Sequence, residues 1–337
     1  MSQKDYIYAV ARIRSKEISL LSDQFINQLV SAESFDDCMK LLRDKGWETG
    51  EGKPELAALD DASRADRMFE AERDKTWKQL EELGVEKSAF DVFHLSNDYH
   101  NLKAAIKDTA SDKDHDNIFI TTGTTVPYEK IRDAVKKKDF SALPKDMAKL
   151  ADDVLTTLLH TDDGQLCDIM IDKAALDAIY KAGKEAQNDI LKLYAKLTVA
   201  GADIKVIVRG IKFKKDRAFY MNALSDIDEL DLKELIDSAL KCDRNNFQPL
   251  YDYLEKTEFS GAISEIKKGM TAFEKWCDDQ IIEKIKPELY HAFTIGPLAA
   301  YVLGRENEIK TVRIIISGKL NDLPEKAVSE RIREMYA

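Results

Sequence analysis

A short pattern that occurs three times, about a hundred residues apart, most constrains how this chain can fold. It lies at residues 101–107 (NLKAAIK), 203–209 (DIKVIVR) and 308–313 (EIKTVR). The steps are 102 residues, from 101 to 203, and 105 residues, from 203 to 308. Each copy, which we call a signature, has an amide or an acid, a large aliphatic residue, a lysine, and an apolar run with a second cation. Such near-equal spacing indicates one supersecondary unit that is used three times.

The composition favours helices and argues against one class of partner. The 337 residues can bury a sizeable core; 34% of them are charged and 44% hydrophobic, and only 14 are Gly and 7 Pro. A chain with so few helix breakers is predicted to be all-α. The formal charge of −11 argues against a nucleic-acid partner, because nucleic-acid binding requires a basic surface.

The cysteines and the apolar segments predict where the chain works. Cys38, Cys167, Cys242 and Cys277 are far apart and form no CxxC pair, which is typical of a reducing compartment rather than a disulfide framework. The first residues lack the layout of a signal peptide. No apolar stretch approaches the ~20 residues that cross a bilayer. We therefore expect a soluble, cytoplasmic chain.

Apolar residues recur at steps of three and four through most of the chain, which predicts amphipathic helices. Ser34, with Asp37 three residues later, is a typical N-cap, and its helix is predicted to stop at Gly46. A helix is also predicted from Arg64 to Leu83, and Pro127 is expected to begin another. Longer helices are predicted at 90–107, 172–208 (one helix or two), 265–283, 297–319, and from 324 to the last residue. Residues 111–116 are polar and aperiodic and predict an exposed loop.

Two β-branched runs conflict locally with this helical prediction. Residues 206–208 (VIV) and 314–316 (III) favour strands by propensity alone. The matching stretch of the first signature, 104–106, is AAI and has a much weaker strand preference. If the three copies share one structure, all three are helices, and the β-branched residues mark burial.

A second element follows each signature and extends the repeat. It lies at residues 127–134, 231–236 and 324–331, as a short charged helix after a variable loop. The predicted organisation is therefore three helical repeats within one compact unit, with boundaries at 1–116, 117–220 and 221–337.

The motifs of enzymes are missing from the sequence. Gly318-Lys319 lacks the first glycine and the Ser or Thr of a phosphate-binding loop. The five histidines form no HExxH, and His94 and His100 are expected to be structural rather than metal ligands. No Ser or Cys lies in a nucleophile motif. Three adjacent carboxylate pairs, expected to be solvated helix surface rather than acid/base pairs, lie at 152–153, 162–163 and 278–279. We expect no catalytic centre, cofactor or metal.

The cations of the signatures allow two interpretations. Within each copy they are three or four residues apart, so each pair lies on one helical face. In one interpretation each cation neutralises a carboxylate on a neighbouring helix. In the other, equivalent cations line one surface and contact a ring-shaped or threefold partner. The candidate interface residues are then Lys103, Lys205, Arg209, Lys310 and Arg313.

The last forty residues resemble a known family. Residues 296–303 (GPLAAYVL) and 305–315 (RENEIKTVRII) are similar to the C-terminal signature of the C subunit of prokaryotic V-type (A-type) ATPases, the counterpart of the eukaryotic d subunit. Residues 318–324 and 332–336 extend the match, and residues 8–17 (YAVARIRSKE) resemble the start of the family. The likeness is weak between about 108 and 172.

The resemblance implies both a fold and a role. The fold would be three similar helical subdomains in a pseudo-threefold, funnel-like arrangement. The role would be a non-catalytic rotor subunit that sits on the membrane-embedded proteolipid c-ring and receives the lower end of the central shaft. The chain would then be peripheral to the membrane, on its cytoplasmic face, while other subunits hydrolyse ATP and carry protons or sodium. A soluble helical-repeat adaptor for another partner is the alternative.

Overall fold

The computed structural model describes residues 3–48, 59–85, 87–111, 118–161 and 163–337. Within these ranges the chain forms sixteen α-helices, two 3₁₀-helices and no β-strand. Two isolated bridges, Ile227–Leu230 and Asp243–Asn246, are the β-type pairs found there. The predicted all-α class is confirmed. The predicted loop at 111–116 lies outside the described residues, except for Ser111, which ends a helix.

The α-helices are numbered here in chain order. The first eight are α1 (Gln3–Glu17), α2 (Asp23–Ser31), α3 (Phe35–Asp44), α4 (Asp61–Glu82), α5 (Asp91–Ser111), α6 (Tyr128–Lys137), α7 (Lys145–Thr161) and α8 (Gly164–Glu185). The last eight are α9 (Asp189–Lys212), α10 (Arg217–Ala223), α11 (Leu232–Leu240), α12 (Gln248–Leu254), α13 (Ala262–Lys268), α14 (Met270–Ile285), α15 (Gly296–Leu320) and α16 (Glu325–Ser329). The 3₁₀-helices cover Lys87–Phe90 and Lys286–Tyr290.

The helices group into two compact units. Unit 1 consists of Met1–Lys87, Asn188–Ile190 and Glu265–Ala337, so it contains both the first and the last helices of the chain. Unit 2 consists of Ser88–Gln187 and Leu191–Ser264. The third signature lies in unit 1, and the first two lie in unit 2. The three repeats and their funnel-like arrangement stay predictions.

Unit 1 is built around α15, which packs against α1, α2, α3, α4, α14 and α16. A helix with neighbours on most sides requires apolar residues around most of its circumference. Its side chains meet those of α2, α3 and α4 in one core, whose most deeply buried members include Leu29, Leu42, Met68, Phe69 and Val312. The third signature therefore forms the centre of this unit.

Unit 2 has its own core, centred on α5. This helix packs against α6, α7 and α8, and α8 also packs against α7 and α10. The buried residues of this core include Leu102 and Ile106 of the first signature, together with Ile131, Val135 and Ile171. The first signature thus has the same buried setting as the third, although it lies in the other unit.

The β-branched runs are helical, as the comparison of the three signatures predicted. Residues 206–208 lie inside α9 and residues 314–316 inside α15. Ile207, Val208, Ile315 and Ile316 are all 2% exposed or less. Burial of these side chains therefore outweighs the local strand preference, which is worth about 1 kcal/mol at most.

Several helix ends are confirmed where the sequence predicted them. Ser34 caps α3, its Oγ accepting the Asp37 N–H at 3.1 Å. Beyond α3 the chain turns at Gly46, with φ of 83°. Likewise Gly84, with φ of 67°, follows α4, because glycine adopts this left-handed conformation without strain. Pro127 directly precedes α6.

Three predicted helices have different limits. The stretch 172–208 forms two helices, α8 and α9, separated by residues 186–188. The single helix predicted at 265–283 is wrong: α13 and α14 are divided by Gly269, whose φ is 136°. The last helix begins after Pro324 as predicted, but it ends at Ser329 instead of running to the last residue. The tail beyond it buries Met335 and Tyr336, so tertiary contacts hold it in place of helical hydrogen bonds.

The two longest helices are long enough to cross a bilayer but unsuited to it. α15 has 25 residues and α9 has 24, yet both contain several charged side chains. No helix in the described ranges combines the length and the hydrophobicity that a membrane span requires.

Candidate interaction site on the signature helices

The first polar residue of each signature is buried and holds the backbone of another segment. In the first signature Asn101 is fully buried. Its Oδ1 accepts the Ile120 N–H at 2.8 Å, and its Nδ2 donates to the Ile120 carbonyl at 2.9 Å. One turn earlier, the buried Asp98 accepts the Thr125 N–H at 2.9 Å. Together they fix the segment that leads into α6.

The second and third signatures use the same position in the same way. Asp203 is 1% exposed and accepts the Ser225 N–H at 3.2 Å, just after α10. Glu308 is also 1% exposed and accepts the Leu21 N–H, just before α2. Asn101, Asp203 and Glu308 are therefore anchors, and the variable amide or acid of the pattern is explained by their shared need for an acceptor oxygen.

Burial changes the acid–base behaviour of two of these anchors. Loss of hydration raises the pKa of Asp203 to about 8, although the Ser225 N–H and the nearby Lys173 charge oppose this shift. Burial likewise raises the pKa of Glu308 to about 7, against the lowering effect of the Arg305 charge. In both cases removal from water disfavours the ionised carboxylate more than its partners stabilise it.

Glu308 also belongs to a buried ionic cluster in unit 1, formed with Glu72 and Arg305. Arg305 donates to the Glu72 carboxylate at 2.5 Å and to that of Glu308. The guanidinium lies over the ring of Trp47, 5.3 Å from its centroid. Glu72 in turn accepts the Glu48 N–H at 3.0 Å. The cluster therefore ties α4, α15 and the segment after α3 together through charge-assisted hydrogen bonds.

The cations of the first signature pair with carboxylates of α8. Lys103 forms an ion pair with Asp172, and Lys107 pairs with Asp168 at 2.8 Å. Both pairs lie within unit 2 and join α5 to α8. Here the structure follows the first interpretation of the cations, neutralisation by a neighbouring helix.

The cations of the third signature are paired in the same manner. Lys310 contacts Asp278 of α14 at 2.7 Å, and Arg313 contacts Asp66 of α4 at 2.7 Å. The Arg313 guanidinium also lies 4.4 Å from the centroid of the Phe69 ring. The side chains of Lys310 and Arg313 nevertheless remain 50% and 44% exposed, so both still present charge to solvent.

Lys205 and Arg209 occupy the corresponding positions on α9. Lys205 is half-buried and Arg209 is exposed, and neither is without an interaction partner. The five candidate interface residues thus lie on three helices in two units, and their role at an interface stays a prediction.

One adjacent carboxylate pair differs from its expected role as solvated surface. Asp278 binds Lys310 and also accepts from Arg333 at 3.0 Å. Asp279 accepts the backbone N–H of Glu334 at 2.8 Å. The pair therefore holds the tail that follows α16. Sequence reasoning missed this role because the tail was predicted to be helical.

The tail is fixed at further points along its length. Asn307 donates from Nδ2 to the Glu334 carbonyl at 2.8 Å, and the Tyr336 hydroxyl donates to the Glu17 carboxylate at 3.3 Å. Arg14 completes this contact region by pairing with Glu17 at 2.6 Å. Polar groups of α1, α14 and α15 thus converge on the last residues of the chain.

Within the described ranges the histidines show no arrangement that would hold a metal. His100 lies 3.1 Å from the Ile118 carbonyl through Nε2, which is a structural contact. Across the described ranges, no group of three or more His, Cys, Asp or Glu side chains has the spacing of a metal site. The charged residues instead form ion pairs and hydrogen bonds that connect the long helices to neighbouring segments.

Comparison with characterised proteins gives close agreement in length. The A-type ATP synthase C subunit of Methanocaldococcus jannaschii is 25% identical, covering 94% of this chain and 84% of that protein. The V-type ATP synthase C subunit of Thermus thermophilus is 24% identical, covering 97% and 98%. The V-type sodium ATPase C subunit of Enterococcus hirae is 22% identical, covering 96% and 97%.

The family model points to the same group of proteins over nearly the whole sequence. The model described as ATP synthase (C/AC39) subunit matches residues 9–331, a range that includes all three signatures and most of both units. The chain therefore belongs to the ATP synthase (C/AC39) subunit family.

Proposed function

We propose that this chain is the central-stalk rotor subunit of a V-type (A-type) rotary ATPase. In that role it seats the central shaft on the membrane c-ring and transmits torque for ATP-coupled proton or sodium transport. The observation that carries the proposal is the family match over residues 9–331. Membership makes the chain a non-catalytic subunit of an ATP synthase complex; the rotor role is the further step proposed here.

The internal construction of both units supports this role physically. A part that transmits torque must be stiff, and close-packed helical cores are stiff because they leave little free volume. The three anchors add buried hydrogen bonds that hold each long signature helix to another segment. The buried ionic cluster adds a further rigid link in unit 1.

The signature cations supply candidate contact positions in each unit. Contacts between exposed charges hold a partner without burying large apolar areas, and their strength depends on salt. We propose that some of Lys103, Lys205, Arg209, Lys310 and Arg313 meet acidic or carbonyl groups of the shaft or the ring. Arg209, Lys310 and Arg313 are the most accessible of the five. The chain would then reach the cytoplasmic face of the membrane through the ring.

Recovery of the tagged protein from its native membranes, followed by mass spectrometry, tests the proposal. We expect the ATPase catalytic subunits, the shaft and the proteolipid ring to copurify in fixed proportion. A reproducible set of unrelated partners, with no other part of the ATPase, would overturn the rotor role and favour the helical-repeat adaptor.

A further inference from the structure

Unit 1 exposes a cluster of large hydrophobic side chains. Ten such side chains are exposed in the described ranges, and half of them lie in two short segments of this unit. They are Ile7, Tyr8, Ile18, Tyr290 and Phe293. Ile18 and Tyr290 are 86% and 88% exposed, which is unusual for side chains of this size.

Hydrogen bonds from one arginine join the two segments. Arg14 of α1 donates to the carbonyl of His291 at 2.7 Å and also to that of Glu288. Tyr290 and Phe293 therefore lie beside the C-terminal half of α1. The exposed side chains form one surface, which we call the α1 face: Ile7, Tyr8, Ala11, Ser15 and Ile18, adjoined by Tyr290 and Phe293.

The orientation of α1 is fixed by its opposite side. Ala9, Val10 and Ile13 are buried, and Glu17 is held by Arg14 and by Tyr336. The helix is packed in unit 1, so the apolar residues of the α1 face are exposed by the fold itself rather than by fraying.

The spacing of the α1 face is that of a helix-packing surface. Tyr8, Ala11 and Ser15 follow one another on α1 at steps of three and four, the spacing that one helix presents to another. Ile18 comes three residues later, in the turn directly after the helix. Two small residues lie between two large ones, so the ridge of a second helix can approach closely at Ala11 and Ser15. Insertion into lipid would instead favour large apolar residues along the entire stripe.

Charge specifies the partner further. Arg12 is exposed and Lys16 half-buried beside the stripe. Among the side chains of α1 that are described, the acidic one is Glu17, which is buried and paired with Arg14. In a chain of net charge −11 this surface is locally cationic. It therefore complements a partner that carries carboxylates beside an apolar stripe.

We propose that the α1 face docks an α-helix from another subunit of the same complex, apolar along its contact stripe and flanked by carboxylates. This inference rests on the proposed function, because membership in the complex supplies the partner. It adds a second contact surface, largely apolar, to the cationic positions of the signatures.

Site-specific photo-cross-linking in the assembled ATPase tests the proposal. A benzoylphenylalanine is introduced at position 8 or 18, and the complex is purified from membranes through a tag on one of the catalytic subunits. We expect both positions to cross-link to one helix of another subunit, with carboxylates within a turn of the attachment point. The matched control is position 159, where Leu159 of α7 is 72% exposed, and it should not give this product.

Other products would overturn the docking face. Adducts with lipid, with a second copy of this chain, or with nothing, in a complex that contains the chain, each contradict a partner helix. The wild-type control separates the two proposals. If wild-type protein does not copurify with the ATPase, both fail; if it copurifies and positions 8 and 18 stay unlinked, this proposal alone fails.

A pair of substitutions gives an independent readout. Tyr8→Asp with Ile18→Asp should lower recovery of the chain in the complex by about tenfold or more, because charge replaces apolar contact area. The thermal unfolding temperature of the isolated protein should not change, since both side chains are exposed. Leu159→Asp should leave recovery unchanged. Normal recovery of the double variant would contradict the proposal.

Discussion

Asn101, Asp203 and Glu308 show what a single residue does in this chain. Each lies in a largely apolar stretch, is almost completely buried, and accepts a backbone N–H from a segment outside its own helix. A buried N–H without an acceptor costs about 1–3 kcal/mol, so an acceptor oxygen at this position stabilises the connection. The signature is therefore partly a structural pattern.

The raised pKa of Asp203 predicts a pH dependence of stability. In the unfolded chain an aspartate ionises near pH 4, whereas burial raises the pKa of Asp203 in the folded protein to about 8. Between these values the folded state binds more protons than the unfolded state. The free energy of unfolding should therefore fall as pH rises from about 5 to 8.

Asp203→Asn should remove this contribution, because the amide does not ionise and its oxygen still accepts the Ser225 N–H. In urea unfolding at pH 5 and pH 8, we expect its loss of stability over this range to be smaller than that of wild type by at least about 1 kcal/mol. Asp203→Ala should instead be less stable at both pH values, by about 1–3 kcal/mol. Equal pH dependence of the wild type and the Asn variant would contradict the prediction.

The buried ionic cluster predicts a large effect for one arginine. Arg305→Met removes the guanidinium that pairs with two buried carboxylates: Glu308 loses this ion pair, and Glu72 keeps the more exposed Lys75 at 3.4 Å. We expect a loss of about 3–5 kcal/mol in the free energy of unfolding. Chemical denaturation measures this loss. Adding Glu72→Gln and Glu308→Gln should restore part of the stability, because the remaining amides are neutral and still accept hydrogen bonds.

A second arginine–glutamate pair between the same two helices provides the control. Arg73 of α4 contacts Glu306 of α15 at 3.2 Å, and both side chains are more than a third exposed. Arg73→Met should therefore cost less than about 1 kcal/mol. If the two arginine variants lose similar stability, burial of the cluster is not what makes Arg305 important.

At the scale of the helices, a glycine near the end of α15 sets how closely α16 packs. A Cβ at Gly318 would lie 2.5 Å from Cγ2 of Val328, nearer than real Cβ contacts allow. The sequence alone marks this glycine only as a weak point in a helix. The structure shows that the Val328 side chain occupies the space that a side chain at position 318 would need.

Gly318→Ala should destabilise unit 1 by about 1–3 kcal/mol through overpacking, although alanine favours helices more than glycine does. Val328→Ala in the same chain should recover part of this loss by vacating the contact. Gly164→Ala at the start of α8 is the control, because nothing lies within 4 Å of its added Cβ. Thermal unfolding distinguishes the three variants. Similar melting temperatures for Gly318→Ala and Gly164→Ala would argue against the clash.

At the scale of the whole molecule, the three signatures are divided unequally between the two units. The first two signatures lie in unit 2, while the third lies in unit 1 with the first helices of the chain. Glu308 accepts the Leu21 N–H, so the last signature is completed by a segment from the opposite end of the sequence. The helical unit around the third signature is therefore assembled from both ends.

Charge reversal on α9 tests whether its two signature cations contact a partner in the assembled complex. Lys205→Glu with Arg209→Glu should lower recovery of the chain with the ATPase by about tenfold, because both charges would repel an acidic partner. The isolated variant should keep its helical circular dichroism. Lys212→Glu with Lys214→Glu, at the last residue of the same helix and in the turn after it, is a control of equal charge change. Unchanged assembly would exclude Lys205 and Arg209, and an unfolded variant would support their packing role.

Much of the local structure follows from the sequence. The all-α class, the cap at Ser34, the turns at Gly46 and Gly84, and the helical state of residues 206–208 and 314–316 are all confirmed. These features depend on side-chain spacing and backbone preferences within a few residues, so they can be predicted from the order of residues along the chain. The family resemblance of the last forty residues is confirmed as well.

Other features required the tertiary structure. The partners of Glu308, Arg305 and Asp278 lie on other helices, at sequence distances that no local pattern encodes. The tail from residue 330 is non-helical because buried contacts of Met335 and Tyr336 replace helical hydrogen bonds. A polar residue within an apolar run indicates that its side chain is buried with a hydrogen-bonding partner. Only the packing of segments distant in sequence decides which group that partner is.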